Sequence, residues 1–174
     1  MTLDEIYYDK CKTKSDINEH LPILKEYGQK VDHITEMGVR SIISTYALLA
    51  AKPKKMISYD IVSVDTNHIH SLAPSTEYKF IIGDTRQVII EPTELLFIDT
   101  LHNYKQLKQE LDLHSPKTSK FIILHDTETF GIRGETELEG LLKAVGEFLQ
   151  TTSIWTIHLQ LKNNNGLTIL KRNT

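Results

Sequence analysis

Apolar positions along this chain switch repeatedly between two spacings, and the switching predicts its elements. From Ser15 to Gly28, Ile17, Leu21, Leu24 and Tyr27 recur at helical spacing behind Ser15 and Asp16, residue types that cap helix starts. Asp32 to Gly38 reads as a short strand, and Ser41 to Ala51 as a helix that Pro53 stops. Met56 to Val62 is a second strand ending around Asp60, followed by a short helix over Asn67 to Leu72. Tyr78 to Ile82 is a third strand, closed by Gly83 and Asp84. Leu95 to Ile98 and Phe121 to Leu124 are unbroken apolar runs, the pattern of strands covered on both faces. Tyr104, Leu107 and Leu111 mark a helix from His102 to His114. Leu138, Leu141, Leu142, Val145, Phe148 and Leu149 mark another from Thr136 to Gln150.

The ending follows a different rule. Ser153 to Leu161 alternates apolar and polar residues, Asn163 to Gly166 supplies turn residues, and Leu167 to Leu170 is apolar again, the signature of a β-hairpin. Alternating strands and helices imply an α/β fold with a doubly wound, mostly parallel sheet and right-handed crossovers. The C-terminal hairpin adds an antiparallel edge. A single domain is expected over residues 15–174, behind a loose N-terminal segment, residues 1–14, that carries Cys11 as a partly exposed bystander.

Composition narrows the classes. The 174 residues suit one domain, and 40% hydrophobic with 25% charged residues is an ordinary globular balance. A formal net charge of -3 offers no global field for nucleic acid. No apolar run is long enough to span a membrane, and residues 1–16 lack a signal-peptide core. With one cysteine there is no internal disulfide, so the cytoplasm is the expected compartment.

Ligands of open α/β sheets bind at the carboxyl ends of the strands. The residues there are Glu36, Asp60, Asp84, Asp99 and the pair His125–Asp126. Every candidate parallel strand thus ends at or beside an acid, an arrangement that repels itself unless something cationic sits among the carboxylates.

Residues 36–45 read E-x-G-x(5)-S-T, and Asp99 to Tyr104 reads D-x-x-H-x-Y. With residues 122–127 and 163–170, they resemble the class I S-adenosylmethionine-dependent methyltransferases, whose fold is Rossmann-like with a terminal hairpin. The similarity is to the branch that holds cephalosporin hydroxylase-like and macrolide-sugar O-methyltransferases. It covers roughly residues 30–172. Where that branch has one or two further glycines, this chain has Ile42 and Ile43, and His125 stands where the branch has an acid.

The resemblance implies roles. Gly38 would turn the backbone close to the cofactor, Glu36 would accept a hydrogen bond at its methionine end, and Ser44 and Thr45 would donate near its carboxylate. Asp60 would accept from the ribose hydroxyls, and Asp84, with Thr85 beside it, from the adenine amine. Asp99 and Asp126 match carboxylates that hold a divalent metal, Mg²⁺ or Mn²⁺, with His125 a candidate third ligand. His102 matches a general base. Such a site would transfer a methyl group from S-adenosylmethionine to a hydroxyl of a small molecule or a glycan sugar, with Asp99 and His102 as the catalytic pair. The Phe130 to Glu135 segment, with glycines at 131 and 134, reads as a substrate lid.

A different class remains open at this level: a binding or scaffold protein that keeps the fold without catalysis, which Ile42, Ile43 and His125 would suit. A dinucleotide or nucleotide enzyme fits less well, since neither G-x-G-x-x-G nor G-x(4)-G-K-[ST] occurs. A chain this small also leaves room for a homo-oligomer in which a second copy completes the acceptor wall.

Overall fold

The computed structural model describes residues 1–173. In chain order its elements are α1 (Leu3–Lys12), α2 (Leu21–Gly28), β1 (His33–Met37), α3 (Ile43–Ala50), β2 (Lys55–Asp60), α4 (Ile69–Leu72), β3 (Glu77–Ile82) and β4 (Thr93–Ile98). Then follow α5 (Tyr104–His114), β5 (Thr118–His125), α6 (Leu141–Thr151), β6 (Trp155–Leu161) and β7 (Leu167–Arg172). The seven strands form one sheet in the order β3-β2-β1-β4-β5-β7-β6. The first five are parallel, and β7 returns antiparallel between β5 and the edge strand β6. This is the doubly wound sheet with a C-terminal hairpin that the sequence pattern predicts.

The apolar runs of β4 and β5 divide by strand alternation between two cores. Leu95, Phe97, Phe121 and Ile123 pack with α1, α2 and α3, through Tyr7, Leu21, Leu24 and Leu48. Leu96, Ile98, Ile122 and Leu124 pack with α5 and α6, through Leu107, Leu111, Val145 and Phe148. Trp155 completes the second cluster from β6. No helix among the described residues is long and apolar enough to cross a membrane.

Four local expectations change. The N-terminal segment is not loose: Leu3–Lys12 is a helix closed by a capping box between Thr2 and Glu5, and Tyr7 and Cys11 pack on the first core. The Ser15–Gly28 helix is interrupted. Ser15 and Asp16 do not cap it, a 3₁₀ turn occupies Asn18–His20, and α2 starts at Leu21 with a proline in its first turn. The Ser41–Ala51 helix begins two residues late, because Ile42 takes a left-handed conformation at φ 64°. The Thr136–Gln150 helix begins only at Leu141. Residues 136–140 are held as a loop by bonds from the Thr136 N–H to Asn103 Oδ1 and from the Gly140 N–H to the Ile132 carbonyl, which leaves Leu138 82% exposed.

Gly38 joins β1 to the turn before α3, at φ 87°. A Cβ there would lie 1.9 Å from the Asp99 carbonyl oxygen, so only glycine lets the β1 and β4 ends approach. Gly38→Ala therefore combines left-handed strain with a backbone clash and should cost about 3 kcal/mol or more, read by urea unfolding. A loss below about 1 kcal/mol would show that the two ends separate easily.

Candidate active site

The carboxyl ends of the parallel strands open into a cavity of about 690 Å³, within the range of small-molecule and cofactor sites. Gly38, Ser44, Asp60, Asp84, Thr85, Asp99 and His102 line it. Ile43 is part of its wall and does not close it.

Two predicted cofactor residues sit behind that wall. Glu36 is fully buried, and its two oxygens accept from the hydroxyls of Ser44 (2.7 Å), Thr45 (2.9 Å) and Ser58 (2.6 Å). Its bonds are spent inside the protein, and Thr45, also fully buried, is spent on Glu36. The expected direct contacts of Glu36 and Thr45 with a ligand are thus replaced by a support that pins the start of α3 to β1 and β2. Thr85 has its hydroxyl bonded to the buried carboxylate of Glu110, which also takes Thr100 and Gln106.

Asp60 does face the cavity and also organises its rim. Its Oδ2 accepts from the Val39 and Arg40 N–H groups at 2.8 and 3.0 Å, and its Oδ1 from Val62 N–H at 2.9 Å. Burial alone would raise its pKa, but these backbone donors outweigh burial and lower it. Asp84 is paired with Arg86 at 2.8 Å, and the bonds from that side chain and its backbone lower it to about 2.

Asp99, His102, His125 and Asp126 converge at the ends of β4 and β5. His102 Nε2 lies 2.7 Å from Asp126 Oδ2 and 3.3 Å from Asp99 Oδ1. His125 Nδ1 lies 3.4 and 3.6 Å from the same two oxygens. Burial pulls both imidazoles down, but the two carboxylates outweigh it, raising His102 to about 10 and His125 to about 9. The same pairing lowers Asp99 and Asp126 against the effect of burial. Asp126 sits at φ 59°, a left-handed position that aspartate tolerates better than most residues.

The donor set fits a divalent cation. One ligand atom each from Asp99, His125 and Asp126 lies within 4.8 Å of the others. His125 Nδ1 and Asp126 Oδ1 are buried without a hydrogen-bond partner, the condition of atoms waiting for a ligand.

Sequence reasoning missed four contributors. Glu135, in the glycine-flanked segment, bonds His102 Nδ1 at 3.0 Å and donates its N–H to the His102 carbonyl. Phe130 stacks on the His102 ring, 4.8 Å between centroids and 2° from parallel. Arg40 pairs with Asp16 at the rim. His20 contacts His125 from behind. Its signal was present: His20 falls three residues after Ile17 on an apolar face, where an imidazole needs a partner.

No protein-family model matches this chain, and no curated protein matches it. Solved structures do. An O-methyltransferase from Bacillus cereus in complex with SAH is similar over 98% of this chain and 90% of its own, with TM-score 0.62 and 14% identity. The O-methyltransferase TomG from Streptomyces achromogenes, involved in tomaymycin synthesis and in complex with SAM, covers 93% and 82%, with TM-score 0.64 and 13% identity. The SAH-bound methyltransferase PaMTH1 from Podospora anserina covers 99% and 88%, with TM-score 0.62 and 14% identity. The chain has the Rossmann-like fold of these methyltransferases.

The buried Glu36 yields a pH prediction. Burial raises its pKa to about 7 despite the three hydroxyl donors. Between about pH 4.5 and 7 the folded chain keeps this proton while the unfolded chain loses it, so this group makes stability fall as pH rises. Glu36→Gln should remove that part of the slope, gaining up to about 3 kcal/mol at pH 8 relative to pH 5 against the wild type. Thermal melts at the two pH values check it, and an unchanged difference would mean that Glu36 is charged when folded.

Proposed function

We propose that this protein is an S-adenosylmethionine-dependent O-methyltransferase acting on a hydroxyl of a small molecule or sugar. The carrying observation is the single cavity that joins Asp60 on one side to the Asp99–His102–Asp126 cluster on the other. The shared fold and the SAM or SAH bound in its structural neighbours support the cofactor class, and the motif resemblance supports the sugar-modifying branch. The open cavity gives no support to a binding-only scaffold.

In this reading Asp60 accepts from the ribose hydroxyls with its two oxygens, Gly38 brings the β1 backbone to the cofactor, and Ser44, its hydroxyl spent on Glu36, offers its backbone N–H in the first turn of α3 at the methionine end. Asp84, at the end of β3, accepts from the adenine amine. When bound, S-adenosylmethionine supplies the electrophilic methyl group, and a divalent cation on Asp99, Asp126 and His125 acidifies the acceptor hydroxyl. His102 takes the acceptor proton at Nε2. Glu135 orients it through Nδ1, and Phe130 fixes the plane of the ring. Asp99 and Asp126 hold His102 protonated at neutral pH, so it serves as base only when their charge is met by another cation.

Calorimetry with S-adenosylhomocysteine tests the class. Micromolar binding is expected, weakened by Asp60→Ala at least about tenfold, the worth of a hydrogen bond to a charged group. A folded wild-type protein that does not bind at millimolar concentration would overturn the reading. Methyl transfer to an acceptor found among hydroxylated small molecules and sugars should fall about 10²- to 10⁴-fold in His102→Ala, with cofactor affinity kept. Equal rates would remove His102 as base.

A further inference from the structure

The wall of the cavity is acidic. Asp60, Asp84, Asp99 and Glu135 all line it, so a ligand carboxylate entering it is repelled unless a cation answers it. Among the described residues, three side chains on that wall can carry positive charge: Arg40, Arg86 and His102. Two of them are committed. Arg86 donates to both oxygens of Asp84, from Nε at 3.0 Å and from Nη2 at 2.8 Å. His102 is enclosed by Asp99, Asp126 and Glu135. Arg40 differs. Among the described residues its guanidinium bonds only Asp16, through Nη2, and its side chain is 72% exposed. A guanidinium carries five N–H donors, so most of this fork is open.

The backbone sets where that fork stands. Arg40 sits at φ 42°, a left-handed conformation uncommon for a residue with a side chain, between Gly38 at 87° and Ile42 at 64°. Asp60 fixes it there, since its Oδ2 takes the Val39 and Arg40 N–H groups together. The side chain thus leaves the main chain beside the Asp60 carboxylate and three residues ahead of α3. Asp16 comes to it from outside the sheet, next to Ile17, which lines the same cavity. The bond to Asp16 holds the guanidinium charged against partial burial, and the charges of Asp99 and Asp126 reach it from the cluster. The planar fork matches a carboxylate in shape as well as in charge.

We propose that Arg40 is a cofactor-binding residue that takes the α-carboxylate of S-adenosylmethionine on its guanidinium, and that Asp16 holds this place in the cofactor-free chain. This assignment rests on the cofactor class of the preceding reading, in which Asp60 takes the ribose and the amino-acid end lies toward α3. One carboxylate replaces another, so Arg40 keeps a charge partner throughout, and the exchange gives up only an exposed ion pair.

Calorimetry on the full chain compares S-adenosylhomocysteine with its decarboxylated analogue, in which hydrogen replaces the carboxylate and the ammonium group is kept. Wild type should bind S-adenosylhomocysteine at least about tenfold tighter, a comparison that needs no variant. Arg40→Met should erase that preference, loosening S-adenosylhomocysteine about 10- to 100-fold and the analogue less than about threefold. Arg40→Lys, which keeps the charge without the fork, should restore part of it. Asp16→Ala, which removes the stand-in, should tighten S-adenosylhomocysteine about two- to fivefold and leave the analogue unchanged. Wild type that binds neither ligand would overturn the cofactor class, and the role of Arg40 with it. Wild type that binds both equally, or Arg40→Met that loosens both alike, would overturn the role of Arg40 and leave the cofactor class standing. Asp16→Ala that leaves S-adenosylhomocysteine unchanged or loosens it would overturn the exchange alone.

Discussion

Asp99 and Asp126 are brought together by the parallel register of β4 and β5, and their like charges must be answered where they stand. Two anions so placed in a largely buried position are tolerable only with positive charge between them. The surrounding structure is arranged around this demand. His102 comes back over the edge from the turn after β4, His125 stands beside Asp126 at the end of β5, and each faces both carboxylates. Glu135 and Phe130 then hold the His102 ring from the outer side. The inner side of the cluster is closed by His20.

The same edge shows how buried charge is handled elsewhere in the fold. Glu36 and Glu110 meet no cation. Each is surrounded by neutral donors, hydroxyls at Glu36 and hydroxyls with an amide at Glu110, and each has its pKa raised by burial. Their task is architectural: Glu36 ties three elements around the start of α3, and Glu110 ties α5 to the turns after β3 and β4. The acids around the cavity are therefore of two kinds. Those that stay ionised gather at the strand ends, and those pushed toward neutrality, Glu36 on β1 and Glu110 on α5, brace its walls.

Much of this was legible in the chain. Continuous apolar runs identified β4 and β5, alternation and the asparagine turn identified the terminal hairpin, and the acids at the strand ends marked the cavity edge. What could not be read was the distinction between facing and supporting residues. Glu36 sits at the end of β1 as Asp60 does at the end of β2, and only packing separates them. The helix starts were misplaced where long-range bonds override periodicity: Asn103 holds Thr136 out of α6, and the Glu139 carbonyl accepts from the Tyr104 N–H. At Ile42 a β-branched residue holds the left-handed conformation that glycine favours, which no periodicity of apolar positions could signal.

The asparagine turn between β6 and β7 reaches well beyond its hairpin. Asn164 accepts from the Glu19 N–H and donates to the Ser15 carbonyl, while the Asn165 carbonyl receives the N–H groups of Glu128 and Thr129. It thus clasps the segment carrying His20 to the segment that follows Asp126, across 145 residues of chain in the Glu19 contact. Closing so long a loop has its entropic cost before its bonds form, so this clasp belongs to the late stages of folding. A single turn thus sets the spacing of two segments that are remote in sequence and flank the same cluster, so a change in its asparagines would be felt on both sides of that cluster at once.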